Sequence, residues 1–208
     1  MNFSPHLTRG DLFGLIAGTS FAAGLNLYAT LATLGLLSRA DVVELPPTLH
    51  LLASWWVIGA SLALFGIEFF ADKIPVFDLV WNALHTFIRV PVAALIAYQA
   101  SAQLPPHLQI ATAIAGGLIA FAAHGGKTAA RAVITPSPEP LSNMALSVGE
   151  DIGAIGLTWL ATNHPYAAGG VVVALVAIIV VSIRLVIRAL RSLFRKAEDQ
   201  LERSLKSS

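Results

Sequence analysis

The sequence predicts an all-α, polytopic membrane protein of about six transmembrane helices, arranged as three tandem hairpins with both termini in the cytoplasm. Three observations carry this reading. The first is composition. Hydrophobic residues make up 56% of the 208, charged residues 12%, and the mean hydropathy is +0.72, whereas roughly a quarter of a soluble domain is charged. The second is a frame of prolines: Pro47, Pro106 and Pro165 recur every 59 residues in the polar turns ELPPT, QLPPH and TNHPY. Self-similarity at a fixed period marks repeated supersecondary units. The third is charge placement. Seven of the last 25 residues are Lys or Arg, and with six alternating spans every other Lys or Arg except Arg39 falls on the same side, as the positive-inside rule requires of a cytoplasmic face.

The expected segments are a cytoplasmic lead over 1–10, a transmembrane domain over 11–183 with hairpins at about 11–72, 73–131 and 140–183, and a basic amphipathic cytoplasmic tail over 184–208. Before each frame proline, a rising helix carries polar residues four apart: Asn26 and Thr30, His85 and Arg89, Asn143 and Ser147. After each, the falling helix ends in ionisable residues four apart: Glu68 and Asp72, Lys127 and Arg131, Arg184 and Arg188.

The uncharged run from Leu12 to Leu37 is too long for the core of a signal peptide, so it is expected to be a retained first helix. Its small residues, GTSFAAGLN, suit close helix packing in lipid, and Asn26 needs a partner because a buried amide without one is penalised. Helix 2 descends from Pro47, with Trp55 and Trp56 at the outer interface, where aromatic belts sit. It ends among Glu68, Asp72, Lys73 and Asp78.

Helices 3 and 5 give the firmest physical argument. The uncharged part of helix 3, Val90 to Gln103, has 14 residues, about 21 Å of helix against a hydrocarbon core of roughly 30 Å. Asp78, Asn82, His85 and Arg89, spaced 4, 3 and 4, therefore form a polar stripe drawn inward, with Pro91 as a kink just beyond. In helix 5 only Ile152 to Asn163 is uncharged, about 18 Å, so Glu150 and Asp151 must lie below the membrane surface. Insertion of each such charge costs about 2.5 to 3.5 kcal/mol at the helix centre.

Helix 4 runs from Pro106 to AHGGKTAAR, where His124, Lys127 and Arg131 cluster. The GGK string lacks the spacing and the preceding strand of a phosphate loop. Helix 5 is expected to begin near Asn143, with Ser142 or Asn143 as its cap. Helix 6, about Tyr166 to Ile183, is apolar, and Arg184, Arg188, Arg191 and Arg195 continue it at helical spacing as a surface anchor for anionic lipid.

The embedded polar residues, Asn26, Glu68, Asp72, Asp78, Asn82, His85, Arg89, His124, Lys127, Arg131, Asn143, Ser147, Glu150 and Asp151, are the candidate solute- or ion-binding set. Ionisable groups inside a membrane mark solute pathways and proton relays, or pair with one another. The chain is expected to be a small transporter or permease for a small charged or amphiphilic solute, with proton coupling. The alternatives are an intramembrane enzyme acting on a lipid headgroup and a scaffold of buried ion pairs. Enzymatic activity is the weaker expectation, because no nucleophile elbow or zinc motif is present. Without cysteine there is no thiolate chemistry. No metal or cofactor is expected, since His50, His107 and His164 beside the frame prolines lack ligand spacing. The expected partners are membrane lipids, a small polar or charged solute and a second copy of the chain, with no nucleic acid.

The strings GLNLYAT, EFFADKIPVFDLVWNALHTFIR, HGGKTAARAVITPSPEPLSN and SVGED together resemble the family of small bacterial membrane proteins catalogued as domain of unknown function DUF4126. That resemblance covers nearly the whole chain. It implies a multi-pass protein of the bacterial inner membrane and brings no substrate with it.

Overall fold

The computed structural model describes residues 9–71, 75–134 and 140–206, with side chains over 10–70, 84–131 and 144–195 apart from Leu193. It is helical, in the order α1 (Arg9–Leu25), α2 (Leu27–Arg39), a 3₁₀ turn (Pro47–Ala53), α3 (Trp55–Ala71), α4 (Pro75–Ala100), α5 (Pro106–Ile134), α6 (Pro140–Asn163) and α7 (Pro165–Lys206). Each frame proline opens a helix or helical turn, where its missing N–H loses nothing. The chain divides into a compact unit up to Val173 and a second from Ala174 onward.

Among the described residues, two helical stretches, Pro106–Arg131 and Pro165–Ser192, are long and apolar enough to cross a membrane. A third is available if Pro47–Ala53 and Trp55–Phe70, which meet at a 62° bend, form one broken span. In α6 the adjacent Glu150 and Asp151 interrupt the apolar run, and the side chains of α4 are described only from Leu84 onward. α4 runs through Pro91 as one helix, and α6 begins at Pro140, three residues before the expected start at Asn143. The apolar and basic parts expected as a sixth helix and a tail form one 42-residue helix, α7.

The main departure concerns the first helix. Residues 12 to 37 do not form one straight span, because the helix breaks at Asn26. That residue is extended (φ −147°, ψ 106°), and its side-chain Oδ1 accepts the Ala29 N–H as the N-cap of α2. Asn is among the preferred N-caps for this reason.

The chain then turns back. At the start of α1, a Cβ on Gly14 would strike the Pro165 carbonyl and one on Gly10 the Tyr166 ring, so this end lies beside the start of α7. A groove of about 200 Å³ places Leu12 and Phe13 beside Leu104 and Leu108, at the start of α5. Further along α1, Gly24 abuts Ala120 and Ala123, well down α5. On the return, Leu34 of α2 joins one cluster with Leu12 and Ile16 of α1 and with Ala97 and Ala100 at the far end of α4. In a straight helix Leu12 and Leu34 would stand about 33 Å apart.

α1 and α2 are therefore the two arms of a hairpin with Asn26 at its tip. Its open end sits with the α4–α5 and α6–α7 turns. This geometry does not fit residues 12–37 as one straight helix. The physical reason is that Asn26 offers the backbone a better partner than the next helical carbonyl.

Small residues let the tip descend. Gly18 approaches Ala161 and Ala168, and Gly116 approaches Ala97 and Ser20, the close backbone packing that holds helices together in lipid. At the open end, Thr48 donates to the Gln99 carbonyl at 2.7 Å. Arg39 lies 4.4 Å over the ring of Trp55, a cation–π contact.

Candidate functional site at the hairpin tip

The break at Asn26 creates the site. In an unbroken helix the Leu25 carbonyl would accept the Ala29 N–H, which Asn26 Oδ1 takes instead at 3.0 Å. The released Leu25 carbonyl accepts from Arg89 Nη1 and from Lys127 Nζ, each at 3.3 Å. Two cations thus meet the carbonyl end of α1, where the helix dipole is negative. Beside the amino end of α2, Asn26 Nδ2 donates to Asp151 Oδ1 at 2.8 Å, so a carboxylate faces the positive end of that helix. Each half-helix terminus has a neighbour of opposite sign.

The charges pair around this tip. Arg89 Nη2 of α4 donates to Glu68 Oε1 of α3, with both side chains wholly buried. Lys127 Nζ of α5 lies 3.9 Å from Glu68 and 2.9 Å from Glu150 Oε2 of α6. Arg131 Nη2 reaches the same Glu150 oxygen at 2.7 Å, and its Nε lies 3.4 Å from Oε1. Arg89 is therefore neutralised by Glu68, while Glu150 belongs to Lys127 and Arg131. Exposure falls inward through the set, from 11% at Arg131 to 7% at Glu150, 1% at Lys127 and none at Arg89 or Glu68. The cluster is most exposed at Arg131 and fully buried at Glu68.

Two histidines complete it. His124 Nδ1 lies 3.3 Å from Arg89 Nη1 and its Nε2 lies 2.7 Å from Thr86 Oγ1. A guanidinium can only donate, so Nδ1 is the acceptor and Nε2 carries the proton that goes to Thr86. This neutral tautomer cannot take a proton from Thr86 at Nε2, so the hydroxyl–imidazole pair is not an activated nucleophile. Nε2 of His85 lies 2.9 Å from the Tyr28 hydroxyl, and the two rings meet edge to face.

Of the sequence-predicted set, Asn26, Glu68, His85, Arg89, His124, Lys127, Arg131, Glu150 and Asp151 converge here, and Ser147 is buried on α6. Asp72 lies outside the described residues, as do the side chains of Asp78, Asn82 and Asn143. Sequence reasoning missed Tyr28, Thr86 and the Leu25 carbonyl. Tyr28 and Thr86 each stand close to an obvious signal, two residues beyond Asn26 and one beyond His85. The carbonyl follows only from the break. Among the described residues, Glu68 Oε2, Arg89 Nε and Ser20 Oγ are buried with no hydrogen-bond partner. Among those residues, too, no three His, Cys, Asp or Glu side chains gather as metal ligands. His50 Nε2 donates to the Leu45 carbonyl at 2.9 Å, and His164 packs edge-on against Trp159.

No curated protein and no solved structure matches this chain. One family model does, over residues 13–185, a stretch that holds the hairpin tip and every charge of the cluster, and the chain accordingly belongs to the family described as Domain of unknown function (DUF4126).

Proposed function

We propose that the protein is a small transporter of the bacterial plasma membrane, in which the charge cluster at the tip of a re-entrant hairpin is the solute site. In this reading α3 to α7 cross the bilayer, and the α1–α2 hairpin enters and leaves from one side. The basic end of α7 is cytoplasmic by the positive-inside rule. The observation that carries the proposal is the broken helix. Its free carbonyl and capped amino end both face ionised side chains deep among the helices. Interrupted helices whose ends meet charge near the midplane are how repeat-built transporters form their solute sites, and irregular backbone is tolerated at such depth only when buried in protein or lining a cavity.

A scaffold needs ion pairs but gains nothing from a gradient of exposure leading from Arg131 to Glu68. Buried ion pairs are weak stabilisers compared with apolar residues of the same volume, so six charges gathered at one tip suit a function better than a fold. Flux measurement tests the proposal. In liposomes holding the purified protein, small charged solutes are expected to enter saturably down a solute gradient or a pH gradient, and Lys127→Met is expected to abolish that flux. Liposomes that move neither solute nor proton under either driving force would refute transport.

A further inference from the structure

We infer that Glu150 is a tethered stand-in for the solute: the site takes a small carboxylate anion, which replaces the Glu150 carboxylate on Lys127 and Arg131 as Glu150 takes up one proton. This rests on the transport reading and names its solute class and coupling. Three observations support it. One Glu150 oxygen accepts from Lys127 at 2.9 Å and from Arg131 at 2.7 Å, so the two cations are already set to grip a single carboxylate between ammonium and guanidinium, the planar fork that suits this group. Glu150 is also the carboxylate of the cluster nearest its exposed end. An arriving anion meets Arg131 first, then Glu150, with Lys127 behind.

The third observation is charge balance. The described cations of the tip are Arg89, Lys127 and Arg131, and the described anions are Glu68, Glu150 and Asp151. Among the described side chains these six charges balance, three of each sign. A further anion in so dry a place would be uncompensated, which low-dielectric surroundings strongly oppose. Conversion of the Glu150 carboxylate to the acid restores neutrality. The proton comes from the Arg131 side, the neutral acid releases Lys127 and Arg131, and the solute carboxylate accepts their N–H groups. One proton therefore enters with each anion, and no net charge moves.

The groups around Glu150 that share in this balance are Glu68 on α3, His85 and Arg89 on α4, His124, Lys127 and Arg131 on α5, Asp151 on α6, and Asn26 and Tyr28 at the hairpin. Beyond Lys127, Arg89 Nε and Glu68 Oε2 are a buried donor and acceptor without partners among the described residues. They leave unused polar capacity on the inner side of the site.

Titration calorimetry of the intact protein in detergent, with acetate as the probe and run in two buffers of different ionisation enthalpy, counts the protons taken up. Wild type is expected to bind acetate with uptake of one proton, its affinity rising as the pH falls. Glu150→Gln, which keeps the shape of the protonated acid, is expected to bind acetate more tightly with no proton uptake. Acetate binding to wild type without proton uptake would overturn the inference, as would failure of both folded proteins to bind acetate. Binding of inorganic phosphate in place of acetate would overturn the carboxylate assignment. Solute flux in liposomes without acetate binding would sink the exchange and leave transport standing. Proton-linked acetate binding without flux would do the reverse.

Discussion

Arg89→Met is expected to destabilise the protein by about 3–5 kcal/mol, the usual penalty for leaving one member of a buried ion pair behind. Its partner Glu68 is wholly buried and would keep only Lys127, at 3.9 Å and already engaged with Glu150. Three further losses accompany the ion pair: the bond to the Leu25 carbonyl, the donor that fixes His124, and one of the two cations at the end of α1. Adding Glu68→Leu is expected to restore most of that stability, since an apolar pair of similar volume commonly equals or exceeds the ion pair it replaces. Flux is not expected to return with the fold. Unfolding in mixed micelles and uptake in liposomes, measured on both single variants and the double variant, separate the two roles through the coupling between the sites. A double variant that recovers flux as well as stability would make the pair purely structural.

The second large effect is expected at the tip. Asn26→Leu removes the cap of α2 and the bond to Asp151 together. A lost N-cap costs about 1 kcal/mol, and a lost hydrogen bond to a carboxylate about 1.5 to 3 kcal/mol, so a loss of roughly 2 to 4 kcal/mol is expected in the same unfolding measurement. Without a competing acceptor, Ala29 N–H can return to the Leu25 carbonyl, withdrawing it from Arg89 and Lys127. Asn26→Asp tests the two bonds apart. Aspartate caps a helix as well as asparagine does, but here it would face Asp151, and two facing carboxylates must share a proton. That variant is expected to be more stable in mildly acidic than in alkaline buffer. Equal stability in both would mean that Asn26 does not meet Asp151.

Much of the site could be read from residue order because lipid makes charge conspicuous. The uncharged parts of α4 and α6 are too short to cross alone, which draws Arg89, Glu150 and Asp151 inward before any coordinates are known. Helical spacing then puts Lys127 and Arg131 on one face of α5, and Glu68 enters as the last charge of α3 before Asp72. What residue order could not supply was the pairing. Arg89 could have met any buried carboxylate, and its selection of Glu68 over Glu150 depends on which helices are neighbours.

The hairpin was hidden for a different reason. Apolar residues continue on both sides of Asn26, so nothing in the hydropathy of Leu12 to Leu37 marks an end. One local signal was present, an N-cap residue directly after GL in the middle of an apolar run. In water that sequence would read as a helix boundary; within a long apolar stretch it reads as a buried amide. Pro106 and Pro165 open α5 and α7 while Pro47 opens only the 3₁₀ turn before α3, and the proline frame could not reveal that α1 and α2 return to the same end.

The central claim is that the chain enters and leaves at one end through α1 and α2. Because the protein has no cysteine, it can be tested with single cysteines and a membrane-impermeant maleimide. Ser4→Cys before α1, Gln103→Cys in the α4–α5 turn and Ser137→Cys between α5 and α6 are compared in sealed, oriented vesicles. The hairpin predicts that positions 4 and 103 are labelled from one side and position 137 from the other. Labelling of positions 4 and 137 from the same side, with 103 opposite, would mean that residues 12–37 cross the membrane, and the re-entrant tip would be wrong.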